Sequence, residues 1–268
     1  MSKFISLIFL ILFTTKISCA QYNENFGSTD ECYGKTFSIA AWVLTDTTNS
    51  IAPLDLSQVL VAIDSLNQKF KGICVNFRLC SFDTLPNHRQ DTIEKGLHDE
   101  EIAALYRKKN MINLYFATEI VNPQPGANPA GYAPMGSTTI PSDDNQRDAI
   151  FLKKSAFTPS VLLHEIGHYF GLYHTFETVA NGEELPDGSN CATAGDLVCD
   201  TQADPNGENN GDCNLDPQIK DPTTNLMFEP PVCNIMSYYD NQFCNYHFSR
   251  GQLDRMLSIM KTGRSYLW

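Results

Sequence analysis

The sequence predicts an α+β protein whose N-terminal half is built like an α/β unit, with a twisted mixed five-stranded sheet backed by helices. Three observations carry this. Strand-like and helix-like runs alternate as far as Thr175. From Glu177 to Pro231, Asp, Asn, Gly and Pro dominate and periodicity fades. An amphipathic run, Ser249 to Lys261, then closes the chain.

The first twenty residues read as a secretory signal. Lys3 precedes an apolar run from Phe4 to Phe13, and Ser18-Cys19-Ala20 resembles a small-residue cleavage site. The run is too short to span a membrane. Residues 21–36 are polar and form a short leader or pro-segment. Phe37–Leu44 is the first buried strand. Asp55 caps a helix in which Val59, Leu60, Ile63 and Leu66 recur at helical spacing. Val75–Phe82 alternates as a second strand. Glu100–Lys109 is expected as a short helix and Met111–Ile120 as a third strand. Asn122–Asp144 is rich in Pro and Gly, which suits an edge or rim strand near Gly131–Gly136. Asp148–Lys153 is a further strand leading into a helix that Thr158 caps and Pro159 starts. At the end of the chain, Ser249 and Gln252 form a capping box, and Leu253, Met256, Leu257 and Met260 mark the buried stripe.

Charge and cysteines bound the setting. The whole chain carries −12, and removing Lys3 and Lys16 with the signal leaves 17 basic against 31 acidic residues, or −14. Such a surface argues against nucleic acid and against anionic membranes. Of nine cysteines, eight remain after Cys19, an even number suited to disulfides in a secreted, extracellular protein. Cys32, Cys74 and Cys80 precede the central helix; Cys191, Cys199, Cys213, Cys233 and Cys244 follow it and can staple the irregular region. If all eight pair, at least one bridge joins the two groups, because each is odd.

The chemistry lies in TPSVLLHEIGHYFGLYHT, residues 158–175. His164 and His168, four apart on a helix, project from one face and can both bind a zinc ion at about 2.0–2.1 Å. Glu165 beside them can serve as general base toward water. Had the helix continued, His174 would lie roughly 15 Å along it, out of reach. Gly171 is where the chain can stop and double back, since glycine accepts the left-handed conformation freely. Three neutral histidines with an open fourth position make a catalytic zinc site.

HEIGHYFGLYHTF followed by NIMSYYD resembles the metzincin zinc endopeptidases, and within them the pappalysin family. Further matching segments are Gly195–Thr201 (GDLVCDT), Asn234–Tyr238 (NIMSY) and the stretch from Cys244 to Gln252. The resemblance implies a metzincin fold over residues 37–268, divided at about Thr175 into subdomains 37–175 and 176–268. It implies zinc on His164, His168 and His174, and Glu165 as base and then acid. It places Met236 in a Met-turn beneath the imidazoles and makes Tyr238 a donor to the oxyanion. It also implies a calcium site involving Asp196, Asp200 and Thr201. Residue 202 is Gln where the family has Pro, and the leader is short for a pro-segment. Cys32 could be a latency ligand, although a disulfide is favoured. Asp240 and Phe243, before Cys244, leave a preference for cleavage before a basic residue open. His88, His98 and His247 are expected to be exposed or locally hydrogen-bonded.

The expectation is therefore a secreted, monomeric zinc endopeptidase acting on protein or peptide substrates, with no membrane insertion. A zinc-stabilised extracellular binding module and a zinc hydrolase of non-peptide amides are the alternatives. An intact Glu165 speaks against the first, because binding alone does not require a general base.

Overall fold

The computed structural model describes residues 32–45, 54–86, 91–123, 126, 128–141, 148–178, 181–205, 219–239 and 247–268. The signal, most of the leader, His88, Cys213, Asp240, Phe243 and Cys244 lie outside them.

A five-stranded sheet runs through the N-terminal half: β1 (Lys35–Thr45), β2 (Val75–Pro86), β4 (Ile112–Ala117), β6 (Gly131–Tyr132) and β7 (Ile150–Lys153). Their order is β2-β1-β4-β7-β6, all parallel except the antiparallel edge strand β6. All six residues of β4 are buried, as a strand covered on both faces requires. One face carries Ile39, Ala41, Val43, Leu114, Phe116, Ile150 and Leu152 in the main core. The helices α1 (Leu56–Phe70) and α3 (Pro159–Tyr169) pack into that core through residues such as Leu66 and Ile166. The other face carries Trp42, Tyr115 and Phe151, with Ile102 and Ala103 of α2 (His98–Tyr106) in the same cluster.

On that second face four rings stand side by side across four strands. Trp42 pairs in register with Tyr115, Tyr115 with Phe151, and Phe151 with Tyr132. Successive centroids are 6.2, 5.1 and 5.1 Å apart with the planes within 15° of parallel. Registered aromatic pairs stabilise neighbouring strands, so this ladder fixes the two-residue rim strand to the sheet interior.

The helix ends follow the residues that cap them. Asp55 and Gln58 complete a capping box on α1, and Ser249 and Gln252 another on α4 (Arg250–Lys261). Thr158 accepts from the Val161 amide and Pro159 opens α3.

Several expectations are corrected. The first strand begins at Lys35, and α2 spans His98–Tyr106, earlier than Glu100–Lys109. The stretch Met111–Ile120 breaks at Thr118 into β4 and β5 (Glu119–Val121), and β5 pairs with β3 (Thr92–Glu94) in a small second sheet. The break has a cause. Buried Asp91 takes the Thr118 amide and hydroxyl, and the Lys154 ammonium reaches Asp91 at 2.8 Å. Cys32 bridges Cys74, so it is not a metal ligand, and Cys191 bridges Cys199. Cys233 is disulfide-bonded. Cys80 is free and exposed. Register slips between Ile39 and Ala40 from Leu79 to Ser81, which leaves Cys80 as the extra residue of a bulge. No bridge joins the two cysteine groups among the described residues.

Candidate active site

Helix α3 delivers His164 and His168 from one face, and Gly171, at φ +88°, turns the chain back. The Gly171 amide closes on the His168 carbonyl at 2.8 Å and the Leu172 amide on the Gly167 carbonyl at 2.9 Å. That reversal brings His174 to the other two. The His168 Nε2 lies 3.1 Å from Nε2 of both His164 and His174. Adjacent ligands at about 2.0–2.1 Å around tetrahedral zinc stand roughly 3.3 Å apart.

The ring protons are assigned by their neighbours. His164 Nδ1 is 2.8 Å from the Ile235 carbonyl, and His168 Nδ1 is 2.8 Å from the Leu172 carbonyl. A carbonyl only accepts, so each Nδ1 donates and each Nε2 lone pair faces the shared point. Burial, then the neighbouring His168, holds His164 down to about 3; burial, then the other two rings, holds His174 down to about 2. Burial also lowers His168. Neutral imidazoles with converging lone pairs fit a divalent cation, and three nitrogens with a free side fit zinc. Among the described residues these three form the one cluster of His, Cys, Asp or Glu suited to a metal.

Glu165, 5 % exposed, lies beside them. Burial pushes its carboxyl up to about 8, against the charge of Lys95, and Oε2 has no hydrogen-bond partner. Gly131 of the rim strand passes over it: a Cβ there would stand 3.1 Å from Glu165 Oε1. Beneath the site Met236 is fully buried, and a Cβ on Gly167 would overlap its sulfur. The glycine inside HEIGH therefore makes room for the methionine inside NIMSY. Asn234 and Gln252 exchange amide hydrogen bonds at 2.9 and 3.1 Å, and Asn234 Oδ1 accepts the Met236 amide. The capping glutamine of α4 thus also holds this turn. Tyr238 hangs over the cleft, 47 % exposed, with its hydroxyl 3.0 Å from His174 Nε2. Burial of its ring, then Glu165, raises its phenol.

Sequence reasoning missed three contributors. Phe176 stacks on His174 with centroids 4.7 Å apart and planes 7° from parallel. Buried Asp204 accepts hydroxyls from Thr175, Ser237 and Tyr239 at 2.7, 3.2 and 3.0 Å. It joins the segment after His174 to both neighbours of Tyr238. Lys95, at the end of β3, adds a positive field. The hydrophobic alternation around Asp204 and Lys95 carries no signal; only contacts made by the fold identify them.

The expected calcium residues make different contacts. Asp196 is buried and accepts from the Val198 amide and the Thr201 hydroxyl. Asp200 turns instead to the start of α4, where it takes the Ser249 hydroxyl at 2.6 Å and the Gly251 amide at 2.7 Å. Glu184 also comes near Asp196, buried and with Oε2 unpartnered. Burial, then Asp196, pushes Glu184 up to about 7, and burial pushes Asp196 to about 7. His98 Nδ1 meets the Glu94 amide, and the backbone of His247 pairs with Cys233 and Ile235. His98 is thus locally bonded, as expected.

The chain matches the peptidase M43 family model, described as pregnancy-associated plasma protein-A, over residues 96–261. An extracellular metalloprotease of Colletotrichum graminicola is 28% identical over 238 residues, 84% of this chain and 76% of that protein. One from Pyricularia oryzae is 36% identical over 103 residues, 38% of this chain and 30% of that protein. Among solved structures, mirolysin in complex with compound 9 aligns with TM-score 0.60 at 18% identity, covering 87% of this chain and 96% of that one. Tannerella forsythia mature mirolysin in complex with a cleaved peptide gives 0.57, also at 18% identity, over 87% and 94%. At this identity the likeness shows a shared fold.

Proposed function

Because the chain belongs to the peptidase M43 family, the pappalysins, and is a zinc metalloendopeptidase, we propose that it is secreted and cleaves extracellular proteins, with Glu165 as general base. The convergence of three Nε2 atoms beside a buried carboxyl whose Oε2 is unpartnered carries this reading. His164, His168 and His174 would hold the zinc. When bound there, zinc would supply Lewis acidity toward a water and a peptide carbonyl. Glu165 takes the proton from the attacking water and returns it to the leaving amine. The Tyr238 phenol donates to the developing oxyanion. The substrate lies extended along the open edge of β6, using main-chain pairing for affinity. The names of the extracellular relatives support secretion, and residues 1–20 read as its signal. Among the described residues no helix is long and apolar enough to cross a membrane.

The test is digestion of a diverse peptide library by the zinc-loaded protein, read by mass spectrometry. Cuts inside peptides that vanish on chelation and with Glu165→Ala are expected. Zinc-dependent binding without cuts would instead establish a binding module.

Asp196, Thr201 and Glu184 are proposed to hold a calcium ion, with Asp200 capping α4 beside them. The sign of the pH dependence follows from the two raised carboxyls. Without calcium they stabilise the fold below their ordinary range, and that contribution is lost as pH rises toward about 7. Calcium needs both ionised. Adding it at about a hundredfold over its Kd is expected to raise Tm by about 5–10 °C at pH 8. The gain at pH 6 is expected to be clearly smaller. Equal melting curves with and without calcium at pH 8 would remove the site.

A further inference from the structure

We propose that Lys95 makes this cleft selective for peptides that carry an acidic side chain beside the rim strand, an inference that rests on the peptidase reading. The rim strand β6 pairs with β7 on one side and ends the sheet on the other. Its two residues face opposite ways. Gly131 faces Glu165, whereas the Tyr132 ring stacks on Phe151 across the second face. A peptide added to the open edge alternates likewise, with every second side chain on the Tyr132 face. There the Lys95 ammonium sits 5.1 Å from the centre of the Tyr132 ring.

The position is held, not incidental. Buried Asp99 accepts the Gly96 amide at 3.0 Å, the Glu100 amide at 2.9 Å and the Tyr132 hydroxyl at 3.0 Å. One carboxylate thereby fixes both the turn that carries Lys95 and the ring beneath it. The Lys95 amide bonds the Val121 carbonyl at 3.1 Å, which ties the turn to β5. The lysine side chain is exposed and makes no ion pair among the described residues. Tyr132 and Gly131 are adjacent in the rim strand, so the lysine over the one stands beside the strand whose other residue passes over Glu165. On a chain of net charge −12 an acidic peptide meets general repulsion. A rim cation that pairs with no described residue converts that repulsion into a local preference.

The test uses two fluorescein-labelled decapeptide pools of matched random composition. One carries Asp and Glu where the other carries Asn and Gln. Binding is read by anisotropy on zinc-loaded Glu165→Ala protein, and cleavage rates are read on the parent. The acidic pool is expected to be favoured about threefold to fivefold, as one partly exposed ion pair allows. Lys95→Gln is expected to abolish the preference and Lys95→Glu to invert it, with unchanged melting temperature. The preference should fade as salt shortens the screening length. Equal binding of the pools, or a preference that survives Lys95→Gln, overturns the proposal. Discriminating binding without cleavage would retain the lysine subsite and sink the peptidase reading. Cleavage without discrimination would do the reverse.

Discussion

Glu165→Gln is expected to lower kcat by about two to four orders of magnitude, the usual contribution of a positioned general base. The zinc content should be unchanged, because the three imidazoles and the carbonyls that orient His164 and His168 remain in place. Stability should hold or rise. The wild-type carboxylate is buried with Oε2 unpartnered and its ionised form is disfavoured, so a neutral isostere removes a desolvation cost. Steady-state kinetics, metal analysis and thermal melts on one preparation separate these outcomes. A variant that keeps kcat within threefold would assign the base elsewhere.

Arg264→Leu is expected to cost about 3–5 kcal/mol, the typical penalty when one partner of a buried ion pair is removed. Arg264 is 3 % and Asp148 2 % exposed. The guanidinium pairs with Asp148, meets the Tyr266 hydroxyl at 2.8 Å and lies 3.9 Å from the centre of the Tyr169 ring. Its Nε also donates to the Tyr169 carbonyl at 3.3 Å, at the last residue of α3. With Arg255, whose Nε bonds the Gly171 carbonyl at 2.8 Å, it fastens the turn that carries the chain toward His174. Asp148→Leu with Arg264→Leu should recover much of the loss, since no charge is then left buried alone. Urea unfolding of the two variants checks this. A double variant no better than the single one would mean that packing, not charge, decides the site.

The readable parts of the sequence were those whose geometry is local. The HEIGH spacing, the reversal at Gly171 and the capping residues Asp55, Thr158 and Ser249 act within a few positions, so residue order predicts them. The apolar runs of β1 and β4 announce central strands for the same reason. What escaped depends on residues that meet only after folding. Asp91 interrupts a strand from outside it, and a bulge sets Cys80 apart. Asp204 collects hydroxyls from two distant turns. Asp200 has the right chemistry for a metal ligand but is drawn to the start of α4, a choice no spacing foretells.

The strand order also says something about how the chain arrives at this state. Ala41 pairs with Leu114, and Leu114 with Ile150, all in parallel. Such pairings close long loops before any contact rewards them, which slows folding. The histidines lie close in sequence, but the Ile235 carbonyl and Asp204 that orient their surroundings arrive from far along the chain. The metal-binding geometry is therefore complete only when segments distant in the chain have docked against the histidines.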